Sequence, residues 1–243
     1  MVDLGFKTDK GVKRSNNEDA FFILRKESVF IVADGVGGNR SGEIASRTAV
    51  NEVAQYIEEG PEKSMSGEEV LREAVERANY RVYDLSQRYE ENHGMATTMV
   101  IALLRGKNMY IANVGDSRAY LYRKGELKQI SVDHTYVNEL VKAGVISADE
   151  AKHHIDKNMI TKAVGAENVI SPDIFKIKIK EDDCILLCTD GLYGELSDTE
   201  IKRTFDKNMS MTDTVNLLVD AANENGGGDN ITAICIRVME DEK

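Results

Sequence analysis

Four short apolar runs in this chain each end or begin at an aspartate that sits next to a glycine. Asp34 follows Val29-Phe30-Ile31-Val32-Ala33 and precedes Gly35. Asp116 follows Met109 to Gly115, and Asp190 follows Cys184 to Thr189 and precedes Gly191. Asp229 follows Gly226-Gly227-Gly228 and leads into Ile231 to Ile236. Runs of this length and composition read as β-strands. Strand ends at one edge of a sheet can converge, and converging carboxylates repel unless a cation lies among them. Mg²⁺ and Mn²⁺ take carboxylate, carbonyl and water oxygens. The pattern therefore points to a carboxylate metal centre on a β-core.

Asp-Gly is also a strong hairpin signal, because both residues tolerate positive φ. For one such site taken alone, a plain turn is the better reading. Taking all four as turns fits less well. Gly42 to Glu58 reads as a helix rather than a returning strand, and Leu192 to Leu196 leads into another helix.

The 243 residues contain only two prolines, and no Pro/Ser-rich linker divides them, so one domain is expected. The net charge of −11 argues against a nucleic-acid partner. It would also repel an anionic substrate at long range, so a phosphate-bearing substrate needs local cations. No apolar run reaches membrane-spanning length and no secretory leader is recognisable, so a cytoplasmic protein without a membrane partner is expected. Cys184, Cys188 and Cys235 all lie in apolar strand patterns and read as reduced packing residues.

Ala20 to Arg25 and Ser28 to Ala33 read as a hairpin. Ile44, Ala45, Ala49, Val50, Val53, Ala54 and Ile57 recur at helical spacing, and Ser66 to Glu69 is a capping box for a second helix with Leu71, Ala74, Val75, Ala78, Val82 and Leu85 on one face. Gly94 is expected to stop that helix. Strands are expected at Thr97–Leu104, Asn108–Val114, Arg118–Tyr122, Leu127–Ser131, Ile174–Ile179, Cys184–Cys188 and Ile231–Val238. Helical pieces are expected at Tyr136–Ala143, Ser147–His153, Asp198–Phe205 and Thr212–Asn223, with a frayed tail from Met239 to Lys243. Few strand–helix–strand alternations occur, so an α+β layered fold fits best.

Several motifs fail. Gly35-Val36-Gly37-Gly38-Asn39-Arg40 lacks the third glycine of a dinucleotide fingerprint. Neither a phosphate-binding P-loop nor a G-x-S-x-G nucleophile elbow occurs. His153 and His154 are adjacent and cannot share one helix face as zinc ligands do.

Arg14 to Asp19, Ala33 to Gly38, Ala96-Thr97-Thr98, Gly115 to Ala119, Thr189 to Leu192 and Gly228 to Thr232 follow in that order. Together they resemble the metal-dependent serine/threonine protein phosphatases of type 2C, the PPM family, in the compact bacterial form. The match runs from about Phe6 to Val238. The resemblance implies one catalytic domain over residues 1–243. Its fold would be a four-layer α/β/β/α sandwich, two mostly antiparallel sheets flanked by helix pairs, with a flap at about 133–165. It implies hydrolysis of phosphoserine and phosphothreonine by a water or hydroxide that bridges two Mn²⁺ or Mg²⁺ ions, with a third, weaker ion. Asp34 would bridge the two core ions, the Gly35 carbonyl would bind the second, and Asp190 and Asp229 would complete the first. Asp116 would hold the third ion with Asp190. Glu18, Asp19 and Asn230 would stand behind these ligands, Glu18 and Asp19 by orienting metal-bound waters. Arg14 would grip the substrate phosphate through a bidentate fork that lysine cannot copy. Phosphorylated proteins are the expected partners, among them a Ser/Thr kinase, and the chain is expected to be a monomer.

Other readings exist for these residues. Arg14 and Glu18 could form an exposed salt bridge worth little, Gly226 to Gly228 a plain flexible loop, and Thr97-Thr98 ordinary strand residues. A pseudophosphatase that binds phosphoproteins without cleaving them, or a structural Ca²⁺ domain, are the rival classes. Intact Asp34, Asp190 and Asp229 speak against the first, and the lack of an EF-hand loop against the second. Some family members carry histidine just after the first Asp-Gly, where it is proposed to protonate the leaving oxygen. Here Val36 stands there. A metal-bound water is then the first candidate for the acid, with His134 or His154 behind it.

Overall fold

The computed structural model of the chain describes residues 2–36 and 41–239. Among them are eleven strands and seven α-helices. In chain order these are β1 (Val2–Asp9), β2 (Asp19–Leu24), β3 (Val29–Val36), α1 (Ser41–Glu59), α2 (Gly67–Arg88), β4 (Ala96–Thr97), β5 (Met99–Arg105), β6 (Asn108–Val114), β7 (Arg118–Arg123) and β8 (Glu126–Gln129). There follow α3 (Tyr136–Lys142), α4 (Ala148–His153), β9 (Asp173–Lys178), β10 (Cys184–Cys188), α5 (Asp190–Tyr193), α6 (Asp198–Phe205), α7 (Met211–Glu224) and β11 (Ile231–Val238). The tail from 240 onward and the stretch 37–40 lie outside the described residues.

The strands form two sheets, one in the order β1-β11-β10-β7-β8 and the other β2-β3-β5-β6-β9, with β4 beside β3. Every pairing is antiparallel. Alternate residues along a strand serve different layers. Ile185 and Leu187 of β10 join Phe30 and Val32 of β3 in the core between the sheets. Cys184, Leu186 and Cys188 face the other way, into a core shared with Ile201 of α6 and Val215 and Leu218 of α7. Val29, Ile31 and Ala33 of β3 likewise meet α1 and α2. The result is the expected four layers, α/β/β/α. A strand buried on both faces has no polar side, so β3, β5, β10 and β11 read as unbroken apolar runs. The cysteines are buried and free, as expected.

The capping box at Ser66 is formed, and the α2 stripe from Leu71 to Val82 is buried. Four details differ from expectation. Ile44, counted in the α1 stripe, is exposed. α2 ends at Arg88, where Tyr89 turns extended, six residues before Gly94. β1 has no counterpart in the sequence reading, yet it pairs along its length with β11, from Val2↔Val238 to Asp9↔Ile231. The expected strand Thr97–Leu104 is broken at Thr98 into β4 and β5.

The segment 133–165 carries α3 and α4 and is tied down at both ends. Arg118 donates to both oxygens of Asp133, Nε to Oδ1 at 3.1 Å and Nη2 to Oδ2 at 2.6 Å. The Gly165 amide donates to Asn79 Oδ1 of α2 at 2.7 Å, and Val164 and Thr97 exchange backbone hydrogen bonds of 2.8 and 3.0 Å. Among the described residues, no helix is long and apolar enough to cross a membrane.

Candidate metal centre

Antiparallel register decides where the aspartates meet. Asp19 at the start of β2 pairs with Asp34 near the end of β3. The last residue of β10, Cys188, lies opposite Arg118 at the start of β7 and Ala233 near the start of β11. The last residue of β6, Val114, lies opposite Met99 at the start of β5. All of these ends belong to one edge of the sandwich. The residues just beyond them, Asp116, Asp190 and Asp229, therefore gather with Asp34. They line a cavity of about 320 Å³ together with Arg14, Glu18, Gly35, Val36, Thr98, Asn158, Ile160 and Asn230. Asp19 is buried behind it.

Each carboxylate is held from outside the cavity. The Asp34 amide donates to Thr98 Oγ1 at 3.0 Å, and its carbonyl accepts from Thr98 N at 2.8 Å and Thr97 Oγ1 at 2.7 Å. Thr98 Oγ1 in turn bonds Ser117 Oγ at 2.6 Å, which joins Asp34 to the turn carrying Asp116. That turn needs Gly115, whose φ is +94° and whose place leaves no room for a Cβ beside Thr98. His134 clamps it at two points. The Gly115 amide donates to His134 Nδ1 at 3.1 Å, and the His134 amide donates to the Gly115 carbonyl at 3.0 Å. Tyr193 of α5 adds a third point by donating its hydroxyl to the Asp116 carbonyl at 3.0 Å.

Asp190 opens α5, with Thr189 as N-cap. The Thr189 hydroxyl donates to Asp19 Oδ2 at 2.9 Å and accepts from the Thr232 amide at 3.0 Å. On the opposite side, Arg14 Nη2 donates to Asp229 Oδ2 at 2.7 Å. The ion pair is thus Arg14 with Asp229, not with Glu18. Asn230 acts as a staple. Its Oδ1 accepts from the Glu18 amide, and its Nδ2 donates to the carbonyls of Lys10 and Asn16, each at 2.8 Å. The glycine run before it is also fixed, since Gly227 O accepts from the amides of Val12 and Lys13 and Gly228 N donates to Glu195. The reading of that run as a merely flexible loop does not hold.

The electrostatics of the cavity are those of crowded acids. Burial pushes Asp34 well above the usual carboxylate range, and Asp19, Asp190, Asp116 and Asp229 push it further. Burial and then Asp229 raise Asp190. Burial also lifts Asp19 and Asp116 to about 7 each, against the lowering effect of hydroxyl donors on Asp19. Asp19 Oδ1 and Asp190 Oδ1 are buried with no hydrogen-bond partner. A buried carboxylate oxygen without a donor calls for an ion or a water. Among the described residues, no three His, Cys, Asp or Glu side chains form a ready cage by themselves. Divalent ions of the Mg²⁺ type need no such cage, because they keep water ligands and accept carbonyl oxygens. The donors at hand, carboxylates and the Gly35 carbonyl, are all oxygens, so the residues fit that class of ion.

Sequence reasoning took Thr98 mostly for a strand residue and passed over Ser117, Thr189 and Asn158. The visible signal was the pair Thr97-Thr98 interrupting an apolar run. Neither His134 nor His154 lines the cavity. His134 has its Nδ1 committed to Gly115, and its pKa is lowered by burial. His154 Nδ1 accepts from the Asp156 amide at 3.1 Å.

Comparison with known proteins agrees with this geometry. The family model described as "Protein phosphatase 2C" matches residues 10–225. The serine/threonine phosphatase stp of Listeria welshimeri is 34% identical over 237 residues, covering 95% of this chain and 94% of its own. The crystal structure of the serine/threonine phosphatase Stp1 from Staphylococcus aureus superposes with a TM-score of 0.91 at 36% identity, covering 99% of this chain and 96% of that one. The catalytic domain of the serine/threonine protein phosphatase PstP, solved with two manganese ions, superposes with a TM-score of 0.87 at 29% identity, covering 98% and 99%. With a family model matched over residues 10–225 and a relative 34% identical over nearly its whole length, the chain belongs to the protein phosphatase 2C family.

Proposed function

We propose that this chain is a metal-dependent phosphatase that hydrolyses phosphoserine and phosphothreonine in proteins. The observation that carries this reading is the gathering of Asp34, Asp116, Asp190 and Asp229, with Arg14, in one cavity, where Asp190 Oδ1 has no hydrogen-bond partner. Asp34, Asp190, Asp229 and the Gly35 carbonyl would hold two Mn²⁺ or Mg²⁺ ions, and Asp116 with Asp190 a third. When bound, such ions lower the pKa of water to near neutrality and neutralise phosphoryl charge.

The chain's own residues supply the rest. Arg14 orients the phosphoryl group through those guanidinium N–H groups that Asp229 does not engage. It is also the cation that offsets the acidic cavity for a dianionic ester, which otherwise meets a net charge of −11. Asp19, held by Thr189, and Glu18, held by Asn230, orient water beside the ligands. Among the described residues, no histidine lines the cavity, so the leaving serine or threonine oxygen takes its proton from water. Segment 133–165 acts as a flap, since Asn158 and Ile160 form part of the cavity wall. A cytoplasmic monomer acting on a Ser/Thr kinase and its targets fits this chemistry, with no nucleic-acid or membrane partner.

The deciding experiment is a phosphopeptide assay with added Mn²⁺ or Mg²⁺. Release of phosphate from phosphoserine and phosphothreonine peptides should stop with excess EDTA and survive thiol alkylation. Undiminished turnover in EDTA would overturn the reading.

A further inference from the structure

A second cavity, of about 610 Å³, adjoins the carboxylate site, and Asp116 and Asn158 line both. It runs between α4 of the 133–165 segment and the start of α6. A phosphorylated side chain that places its phosphate among the carboxylates must lead its flanking backbone away across the surface. The shared wall at Asn158 offers that route.

The charges along this groove are not equivalent. Asp133 is neutralised where it stands by Arg118 and also accepts from Gln129 Nε2 at 2.7 Å. Asp116 belongs to the site already described. Asp198 is the first residue of α6, where the helix N-terminus offsets its charge. Lys152 and Lys157 remain. Lys152 is exposed and reaches only Asp149, at 3.5 Å, and Lys157 makes no ion pair among the described residues. Two lysines, Lys157 without an ion pair among the described residues and Lys152 with only the exposed Asp149 pair, therefore face a groove that opens on the catalytic cavity, in a chain whose overall charge is −11.

We propose that this groove seats the flank of the phosphopeptide, and that Lys152 and Lys157 select flanks carrying acidic side chains. The inference rests on the phosphatase reading above and adds a substrate preference to it. Cations at the rim of a groove set selectivity by charge complementarity, and the effect weakens as salt rises.

The test uses the full chain with saturating Mn²⁺. Its substrates are phosphothreonine peptides whose flanks, on either side, carry glutamate, alanine or lysine. The readout is the ratio of kcat/KM between acidic and neutral peptides, which cancels folding or metal losses common to both. Wild type should favour the acidic peptide by roughly three- to tenfold at low salt, the scale expected of two exposed ion pairs. The ratio should fall to about one in Lys152→Ala/Lys157→Ala and invert in Lys152→Glu/Lys157→Glu. A wild-type ratio near one, or a preference that persists in both double variants, overturns the proposal. Failure of wild type to hydrolyse any peptide or p-nitrophenyl phosphate overturns the phosphatase reading itself, and the substrate preference with it.

Discussion

Arg14 pairs with Asp229 while half exposed, so as a stabilising ion pair it is worth at most about 1 kcal/mol. As a phosphate ligand it is worth more, because charge-assisted hydrogen bonds contribute about 1.5–3 kcal/mol. Arg14→Ala should therefore lower kcat/KM by about 10- to 100-fold with little change in melting temperature. Arg14→Lys should recover only part, since it keeps charge and loses the fork. Steady-state kinetics at saturating metal decide it, and wild-type kcat/KM in both variants would leave Arg14 a surface ion-pair residue. His134 calls for a different test. It touches no cavity wall but holds both backbone groups of Gly115, next to Asp116. His134→Ala should raise the Mn²⁺ concentration needed for half-maximal rate. His134→Asn, whose amide oxygen can accept from Gly115, should restore part of that. Equal metal dependence in all three proteins would remove His134 from the support of Asp116. The four aspartates and Arg14 were legible because each stands at a strand end or in an ordered motif. The roles of Thr98, Ser117 and Thr189 were not, because a hydroxyl beside a strand end looks the same in sequence whether it meets solvent or braces a neighbouring aspartate.

The same contrast holds for whole elements. α2 was legible from its capping box and apolar stripe, and β10 and β11 from runs buried on both faces. β1 was missed because Val2–Asp9 mixes Asp3, Lys7 and Asp9 with a central glycine, as suits a sheet edge. Its side chains do not declare its place, since that place is set by the backbone ladder with β11 and by close contact with α7. Asp3 Oδ2 accepts from the Met211 amide at 3.0 Å, and a Cβ on Gly5 would collide with the Met211 carbonyl. Because the obstacle is backbone, Gly5→Ala should cost about 1–3 kcal/mol, the range for overpacking. In a chain of this length that is a fall of several degrees in melting temperature, at about 2–4 °C per kcal/mol. Metal-saturated activity at 25 °C should persist, since β1 contributes no side chain to the cavity wall. An unchanged melting curve would mean that α7 shifts freely and that the β1–α7 contact is not a constraint.

At the scale of the whole molecule, the acidic cavity links stability to metal and to pH. In the metal-free protein, burial and mutual repulsion raise Asp19 and Asp116 to about 7, and raise Asp34 and Asp190 as well. A carboxylate whose folded pKa lies above its unfolded value binds protons more tightly when folded. Its contribution to stability is complete below the unfolded pKa, near 4, and is lost as pH rises through the folded pKa. For Asp19 and Asp116 that window runs from about pH 4 to about pH 7. Chelator-treated protein should therefore lose stability between about pH 4 and about pH 7, the reverse of what salt-bridged carboxylates give. A divalent ion bound to the folded state only should stabilise by mass action, most strongly at the alkaline end, where the carboxylates are free of protons. Thermal melts in EDTA and in Mn²⁺ across that pH range should diverge steadily with rising pH. Asp34→Asn should narrow the gap, because it removes the most crowded carboxylate and a proposed metal donor together. Parallel curves in the two conditions would mean that the cluster neither holds the ion nor bears the repulsion its burial implies.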